Sequence, residues 1–338
     1  MPGVYPRTSV TALEQPPWFI VGPLAELWNR PVRELAHVAP SAFGPPERER
    51  HRIYSLLVMA LVFHYWNGNK RGAVGDYPCR RDQRRAGGFY AGGNYLGHNI
   101  ASIAVDGHGR LIDFDFNHNE IFCSSVEHAE SRLVRRLFSL VQLRDDWRPS
   151  LSLRPDVPKH GYSGALQDVT IYTTLEPCAQ CAGIMALGRV RAVIYIQRDP
   201  DMYLITHFLR NLTRPDFRAP LPVSADAFGF EYFEQLNDAY RKFVRDVETT
   251  PFFISQDGMI DAAPSVTSFL CTDEAKRLFG RASEELSRLS VSHRDFRPVL
   301  GGLAPAGRTL TNEEVWEHSK RFLEYALSHG HRGTPHRQ

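Results

Sequence analysis

Two short motifs bring together side chains that can bind a metal ion and move a proton. The first is an H-x-E motif formed by His128 and Glu130, and the second is a C-x-x-C motif formed by Cys178 and Cys181. Cysteines three positions apart at the start of a helix lie on one side of its first turn, where exposed N–H groups favour thiolates. With His128 they provide three protein ligands, and catalytic zinc sites keep the fourth tetrahedral position for water. The motifs therefore predict a catalytic Zn²⁺ bound by His128, Cys178 and Cys181.

The order of the motifs, with a proline directly before Cys178, indicates the chemistry. H-x-E followed by P-C-x-x-C is the signature of zinc-dependent nucleobase deaminases. Glu130 follows His128 by two positions, so its carboxylate need not be a ligand and can face water at the metal. It would pass a proton from that water to a ring nitrogen and then to the leaving ammonia. We therefore expect Glu130 to be the catalytic acid–base residue, with a pKa kept high by burial.

Each motif alone has another explanation. An isolated H-x-E is common on solvated helices, and a lone C-x-x-C can be a redox pair or half of a structural zinc knuckle. A knuckle needs a second pair of ligands, but Cys79, Cys123 and Cys271 are isolated in the sequence. A thioredoxin-like pair follows the first strand of a βαβ unit, whereas this pair follows the third predicted strand. The combination therefore favours the deaminase site over a structural or redox site.

The hydrophobic pattern around the motifs predicts alternating strands and helices. A helical repeat before residue 65 precedes two strand-like runs, which are joined by the turn sequence D-G-H-G at 106–109. The further elements expected are a helix capped by Ser124 or Ser125, a strand over 169–174, a helix over 177–188, a strand over 192–196, a helix over 202–212, a short segment at 221–223 and a helix over 230–247. This order predicts an α/β architecture with a mixed sheet and helices on its faces.

The chain divides into three parts. Residues 1–45 are interrupted by prolines and are expected to form an arm, because proline breaks long helices. Residues 46–250 are expected to form the zinc deaminase domain, with insertions near 71–97 and 144–168. Residues 251–338 are predicted to be a helical C-terminal extension with two helices, each behind a capping threonine. These helices could pack on the core, form a separate appendage or make a subunit interface.

Composition excludes some classes of protein. The chain has 338 residues, of which 43% are hydrophobic and 23% charged, so disorder of the whole chain is excluded. A formal net charge of +2 is too near neutral for extensive coating of nucleic acid. No apolar run reaches the roughly 20 residues that span a bilayer, and the N-terminus lacks a signal-peptide pattern. We therefore expect a soluble intracellular protein, cytoplasmic or, as the alternative, nuclear, with no membrane partner.

Two blocks of sequence resemble a known family. Residues 171–199 contain T-L-E-P-C-x-x-C-A-G-x-M, which is similar to the tRNA adenosine deaminase and guanine deaminase branch of the cytidine deaminase-like superfamily. Residues 99–130 contain G-R-L-I-x-x-x-x-N followed by H-A-E, which resembles the second strand and metal-binding helix of that family. The resemblance implies a three-layer α-β-α fold with a mixed five-stranded sheet, and a zinc-dependent hydrolytic deaminase.

The resemblance also implies substrate contacts. Asn117 matches the asparagine that hydrogen-bonds the substrate in the family, and Asp199 matches a position at the rim beside the substrate sugar. Ala129, between the two residues of the H-x-E motif, is expected at the substrate as well. Asn117 could instead be a turn former, and Asp199 lies in an ordinary Arg-Asp-Pro turn sequence. Glu176 is expected to brace the zinc turn.

Arginines in the Gly-rich tract form the best local candidate for nucleic-acid contact, since aromatic residues follow them and rings stack on unpaired bases. These arginines are Arg80, Arg81, Arg84 and Arg85. The alternative is a solvated loop. Arg132, Arg135 and Arg136 follow the H-x-E motif and are expected to lie on the outer face of its helix.

The substrate is a nucleobase-containing molecule, and the resemblance favours adenosine in RNA, giving inosine. Residues 200–203 depart from the family pattern, which leaves other substrates open. The alternatives are a free base, nucleoside or nucleotide of guanine or cytidine type in salvage or specialised metabolism, and cytosine in nucleic acid. A further alternative is a non-catalytic, zinc-stabilised partner subunit or interaction module, although such subunits typically lack the glutamate. A homodimer or heterodimer is compatible with each of these.

Overall fold

The computed structural model describes residues 15–39, 41–66, 97–119, 122, 124–143, 166–202, 204–213, 219–249, 265–298 and 308–329. In this part of the chain, five strands form one sheet, namely β1 (Ala101–Val105), β2 (Leu111–Phe116), β3 (Thr170–Thr173), β4 (Ala192–Tyr195) and β5 (Leu221–Ser224). Their spatial order is β2-β1-β3-β4-β5. β1 is antiparallel to β2 and β3, whereas β3, β4 and β5 are parallel. The sheet is therefore mixed and five-stranded, as predicted.

Helices cover both faces of this sheet. They are α1 (Pro23–Leu27), α2 (Val32–Leu35), α3 (Pro45–His64), α4 (Ala129–Leu143), α5 (Ala179–Leu187), α6 (Ile205–Leu212), α7 (Glu231–Thr249), α8 (Val266–Phe269), α9 (Asp273–Arg288) and α10 (Asn312–His329). A 3₁₀ turn at Ala225–Phe228 follows β5. In the described part of the chain, no helix has the length and apolar character needed to span a membrane.

Alternate side chains along the strands belong to two apolar layers, one on each face of the sheet. Ile171 of β3 and Val193 of β4 pack in a cluster with residues of α4 and α5. The next residues along each strand, Tyr172 and Ile194, pack in a second cluster with α3, α9 and α10. Successive side chains of a strand point to opposite faces, so each strand contributes to both layers. The result is the expected three-layer α-β-α arrangement.

The hairpin between β1 and β2 forms as the sequence predicts. Asp106 Oδ1 accepts hydrogen bonds from the backbone N–H groups of His108, at 2.9 Å, and Arg110, at 2.8 Å. Gly109 has a φ of 84°, a conformation that favours glycine. An Asp side chain that bonds to the following backbone, together with a glycine, is what this turn requires.

The C-terminal helices pack on the core of the domain. The segment of α3 from Ile53 to Val62 is buried, and it contacts both α9 and α10. Arg52 of α3 forms salt bridges with Glu231 of α7 and Glu285 of α9. Of the three arrangements that the sequence leaves open for these helices, the structure shows packing on the core.

One predicted boundary is wrong. Ser124 or Ser125 was expected to cap the helix of the H-x-E motif, but that helix begins at Ala129, and turns precede it. Ser124 Oγ accepts only a long local hydrogen bond of 3.4 Å from Val126 N, at an exposed site. The acceptor at the start of α4 comes instead from a residue distant in sequence, described below.

Candidate metal centre and active site

Three potential metal ligands converge where α4 and α5 begin. His128 Nδ1 lies 3.4 Å from Cys178 Sγ and 3.5 Å from Cys181 Sγ, and the three ligand atoms lie within 4.8 Å of one another. At normal zinc bond lengths, tetrahedral geometry separates nitrogen and sulfur ligands by ~3.6 Å. The donor set and its spacing therefore fit a zinc ion. Within the described residues, this is the one group of three or more His, Cys, Asp or Glu side chains arranged to hold a metal.

Local backbone geometry explains why the cysteines point to one place. Cys178 is the N-cap of α5, in an extended conformation, and Cys181 lies in the first turn of that helix. The hydrogen bonds from Cys181 and His128 lower the pKa of the Cys178 thiol to about 4, even though burial opposes this shift. A lowered pKa favours the thiolate, which is the form that binds a metal.

Glu130 is buried beside these ligands, with 3% of its surface exposed. Its Oε1 accepts a hydrogen bond of 2.7 Å from Thr173 Oγ1, at the end of β3. Its Oε2 lies 3.3 Å from Cys181 Sγ. Burial is the largest cause that raises the pKa of the Glu130 carboxyl. One carboxylate oxygen is thus held by the sheet, and the other faces the metal centre.

Asn117 connects the end of β2 to the start of α4. Its Oδ1 accepts a hydrogen bond of 2.8 Å from the backbone N–H of Ala129. This bond satisfies one of the N–H groups left unpaired at a helix start, and it fixes α4 where His128 and Glu130 lie. Asn117 also lines the cavity beside the metal centre. Ala129 was expected at the substrate, but its backbone N–H donates to Asn117.

A cavity of about 230 Å³ opens onto the metal ligands His128 and Cys178. Its lining includes four residues with carboxyl groups, namely Glu130, Glu176, Asp199 and Asp201. Burial raises the pKa of Glu176 to about 7 and that of Asp199 to about 6. The cavity is therefore rich in groups that accept hydrogen bonds when ionised.

Glu176 braces the turn before the cysteines. Its Oε2 accepts a hydrogen bond of 3.2 Å from Asp199 N, and its own N–H donates to Gln197 O at 2.8 Å. These bonds join the loop before α5 to the loop after β4, so the cysteines and Asp199 keep fixed relative positions. Glu176 Oε1 is buried and has no hydrogen-bond partner among the described residues.

Some residues of the cavity were not identified from the sequence. These are His98, Ile100, Leu175, Asp201, Met202, Ser265, Val266 and Thr267. Leu175 lies within the T-L-E-P-C-x-x-C block, but several of the others come from parts of the chain far from the H-x-E and C-x-x-C motifs. Only the folded chain brings them together, since cavity walls depend on long-range packing.

The arginine side chains of α4 do not all lie on the outer face of the helix, contrary to the prediction from the sequence. Arg136 donates to both carboxylate oxygens of Asp113, each at 3.0 Å, and to Asp115 at 3.1 Å. Arg132 bonds Asp115 and Glu127, and the half-exposed Arg135 also pairs with Glu127. Arg132 and Arg136 therefore do not decorate the outer face, because Asp113 and Asp115 of β2 point toward α4. The candidate nucleic-acid contacts Arg80, Arg81, Arg84 and Arg85 lie outside the described residues.

Part of the chain matches a family of deaminases. The family model that matches is that of the MafB19-like deaminases, over residues 97–220. This match contains β1 to β4 and both metal-binding motifs. Residues 97–220 are thus similar to a deaminase domain.

Solved structures similar to the chain include two deaminases. A tRNA:A34 deaminase, studied for A-to-I editing at the wobble position, is 24% identical with a TM-score of 0.26, over 37% of this chain and 82% of that chain. The guanine deaminase from Nitrosomonas europaea is 18% identical with a TM-score of 0.26, over 60% of this chain and 92% of that chain. No curated protein matches the chain.

Proposed function

We propose that this chain removes the amino group of a nucleobase by hydrolysis, at a zinc ion held by His128, Cys178 and Cys181. The observation that carries this proposal is the position of Glu130. Its Oε2 lies 3.3 Å from the sulfur of the ligand Cys181, in a cavity wide enough to admit a base. A buried carboxylate beside three metal ligands, and not itself one of them, is the arrangement that deamination requires.

The overall reaction replaces C–NH₂ by C=O and releases ammonia, with water supplying the oxygen. Zinc, when bound, lowers the pKa of water to about 7 and so supplies the nucleophile at neutral pH. Glu130 Oε2 takes one proton from the attacking water and delivers it to a ring nitrogen. It then takes the second proton of that water, from the hydroxyl group now on the ring carbon, and delivers it to the amine, which leaves as ammonia. Thr173 holds Oε1, so the carboxylate does not rotate between these two positions.

Asn117 and Asp199 have proposed roles in binding. With Asn117 Oδ1 committed to the N–H of Ala129, the amide Nδ2 is the group left to donate to an acceptor on the base. Asp199 lines the same cavity, and its Oδ1 accepts a hydrogen bond from Asp201 N at 3.1 Å. We place the sugar of a nucleoside or nucleotide beside Asp199.

The first substrate proposed is adenosine in RNA, giving inosine, on the family resemblance of the C-x-x-C block. The base would have to be unpaired or flipped into the cavity, because its amino group cannot reach the zinc within a duplex. Arg80, Arg81, Arg84 and Arg85 are proposed to hold the flanking phosphates.

A second candidate is a free base or nucleoside, of guanine or cytidine type. The cavity volume of about 230 Å³ favours it. Ligand sites for larger molecules usually measure ~300–1,000 Å³, so this cavity is suited to a single base. A polynucleotide substrate needs a further surface for the flanking nucleotides.

An ammonia-release screen distinguishes the candidates. The probes are guanine, adenosine, cytidine, their nucleotides, tRNA and single-stranded DNA, with Arg81→Ala and Arg84→Ala tested alongside the wild type. If RNA is the substrate, these variants weaken its binding and flatten the salt dependence while the zinc content stays constant. Rapid turnover of a free base with unreactive RNA would overturn the RNA proposal in favour of the second candidate.

A further inference from the structure

One wall of the active-site cavity comes from the C-terminal part of the chain. Ser265, Val266 and Thr267, at the start of α8, line the cavity together with Glu130 and Asn117. These three residues lie outside residues 97–220, the part that matches the deaminase family model. The C-terminal region therefore takes part in forming the site as well as packing on α3.

Buried contacts hold this wall in place. Asn99 Nδ2 donates a hydrogen bond of 2.8 Å to Leu270 O, at the end of α8. Phe269 is fully buried, and its ring centre lies 5.7 Å from that of Tyr240 and 5.9 Å from that of Phe243. Asn99 directly follows His98, another residue of the cavity. The short helix α8 is thus tied at its end both to the strand side of the cavity and to α7.

A small network of hydroxyl groups fixes the orientation of Thr267. Ser268 N donates to Ser265 Oγ at 3.1 Å, and Ser265 Oγ donates to Ser268 Oγ at 3.0 Å. Thr267 Oγ1 lies 3.0 Å from Ser265 Oγ. Either hydroxyl group can be the donor in this last pair. A hydroxyl oxygen has two lone pairs, so Thr267 Oγ1 keeps at least one of them as an acceptor in both cases.

We propose that Thr267 is a substrate-binding residue, and that its Oγ1 accepts a hydrogen bond from an N–H or O–H donor of the substrate. The donor is a ring N–H of a free base or a ribose hydroxyl of a nucleoside. Val266 lines the same wall, and its burial in the core fixes the backbone on which Thr267 lies. This inference rests on the proposed deaminase function, and it assigns Thr267 to binding alone.

The test compares three substitutions at one position in the full-length, zinc-loaded protein. Thr267→Val keeps the shape and removes the acceptor, Thr267→Ser keeps the hydroxyl, and Thr267→Trp fills the cavity. We expect Thr267→Val to raise KM about tenfold with kcat within twofold, and Thr267→Ser to stay within about threefold of wild type. Thr267→Trp should lower kcat/KM at least about 100-fold. Ser287→Trp, on the exposed side of α9, is the matched control and should leave both constants unchanged.

The probes guanine, guanosine, adenosine and 2′-deoxyadenosine separate the two donors. A KM increase on the free base assigns a ring N–H, and an increase confined to ribonucleosides assigns a ribose hydroxyl. An unchanged KM in Thr267→Val on every probe that the wild type deaminates would overturn the inference and leave the proposed function standing. If Thr267→Val fails to fold, Thr267→Ala is judged by the same criterion. A zinc-loaded wild type that is inactive on all probes, tRNA and DNA included, overturns both.

Discussion

Thr173 Oγ1 donates a hydrogen bond of 2.7 Å to Oε1 of Glu130, and so joins the end of a central strand to the carboxylate beside the metal ligands. Both residues are buried. Because Oε1 is held, Oε2 is the oxygen that faces the metal centre, where Cys181 Sγ lies 3.3 Å away. The sheet therefore sets the orientation of the proposed proton carrier.

Removing that hydrogen bond should slow the reaction without affecting the metal. Thr173→Val keeps the shape of the side chain, but it frees Glu130 to rotate away from the proton path. Since general acid–base catalysis contributes ~10²–10⁴-fold, we expect kcat to fall about 10- to 100-fold. The zinc content should remain that of the wild type. Thr173→Ser should recover most of the rate, and an unchanged kcat in Thr173→Val would show that Thr173 has no positioning role.

Two substitutions at Asn117 distinguish its role as the cap of α4 from its proposed role in binding the substrate. Asn117→Ala removes the acceptor at the start of α4 and should lower the free energy of unfolding by about 1 kcal/mol. Asn117→Asp keeps an acceptor for the N–H of Ala129 but removes the amide donor. We expect Asn117→Asp to keep the stability of wild type and to lose about 10- to 100-fold in kcat/KM.

Denaturant unfolding and steady-state kinetics on both variants provide the test. If Asn117→Asp is as active as wild type, the side chain only caps α4 and has no contact with the substrate.

The paired charges between β2 and α4 should contribute to stability. Arg136→Met removes the bidentate partner of the buried carboxylate of Asp113 and one partner of Asp115, which keeps Arg132. We expect the free energy of unfolding to fall by about 2 to 3 kcal/mol, less than for a fully buried pair because Arg136 is partly exposed. Arg135→Met, at a half-exposed site on the same helix, is the control, with a loss below about 0.5 kcal/mol. Equal losses in the two variants would contradict this account.

The sequence predicts the sheet and the clustering of His128, Cys178 and Cys181 well, because both depend on local patterns. The spacing of Cys178 and Cys181 places them on one turn, and the D-G-H-G turn specifies the hairpin. The two faces of α4 were harder to predict. Asp113 and Asp115 alternate with Phe114 and Phe116, so a period-two pattern did indicate that the acidic side chains share one face. Only the fold shows that this face meets Arg132 and Arg136.

The start of α4 and the cavity wall could not be predicted for a related reason. The side-chain acceptor at Ala129 comes from Asn117, across a loop, rather than from the nearby Ser124 or Ser125. Thr267 reaches the cavity only because Phe269 and Leu270 are anchored to distant elements. Such contacts form between residues far apart in sequence, and no local periodicity encodes them.

The most direct test of the zinc deaminase account is ammonia release by Glu130→Gln, measured with its zinc content beside wild type and Cys178→Ala. We predict about one zinc per chain in wild type and in Glu130→Gln. Glu130→Gln should lose at least about 100-fold in turnover, because it removes the proton carrier and leaves the ligands in place. Cys178→Ala should lose both metal and activity. Full activity in a metal-free protein, or in Glu130→Gln, would contradict the account.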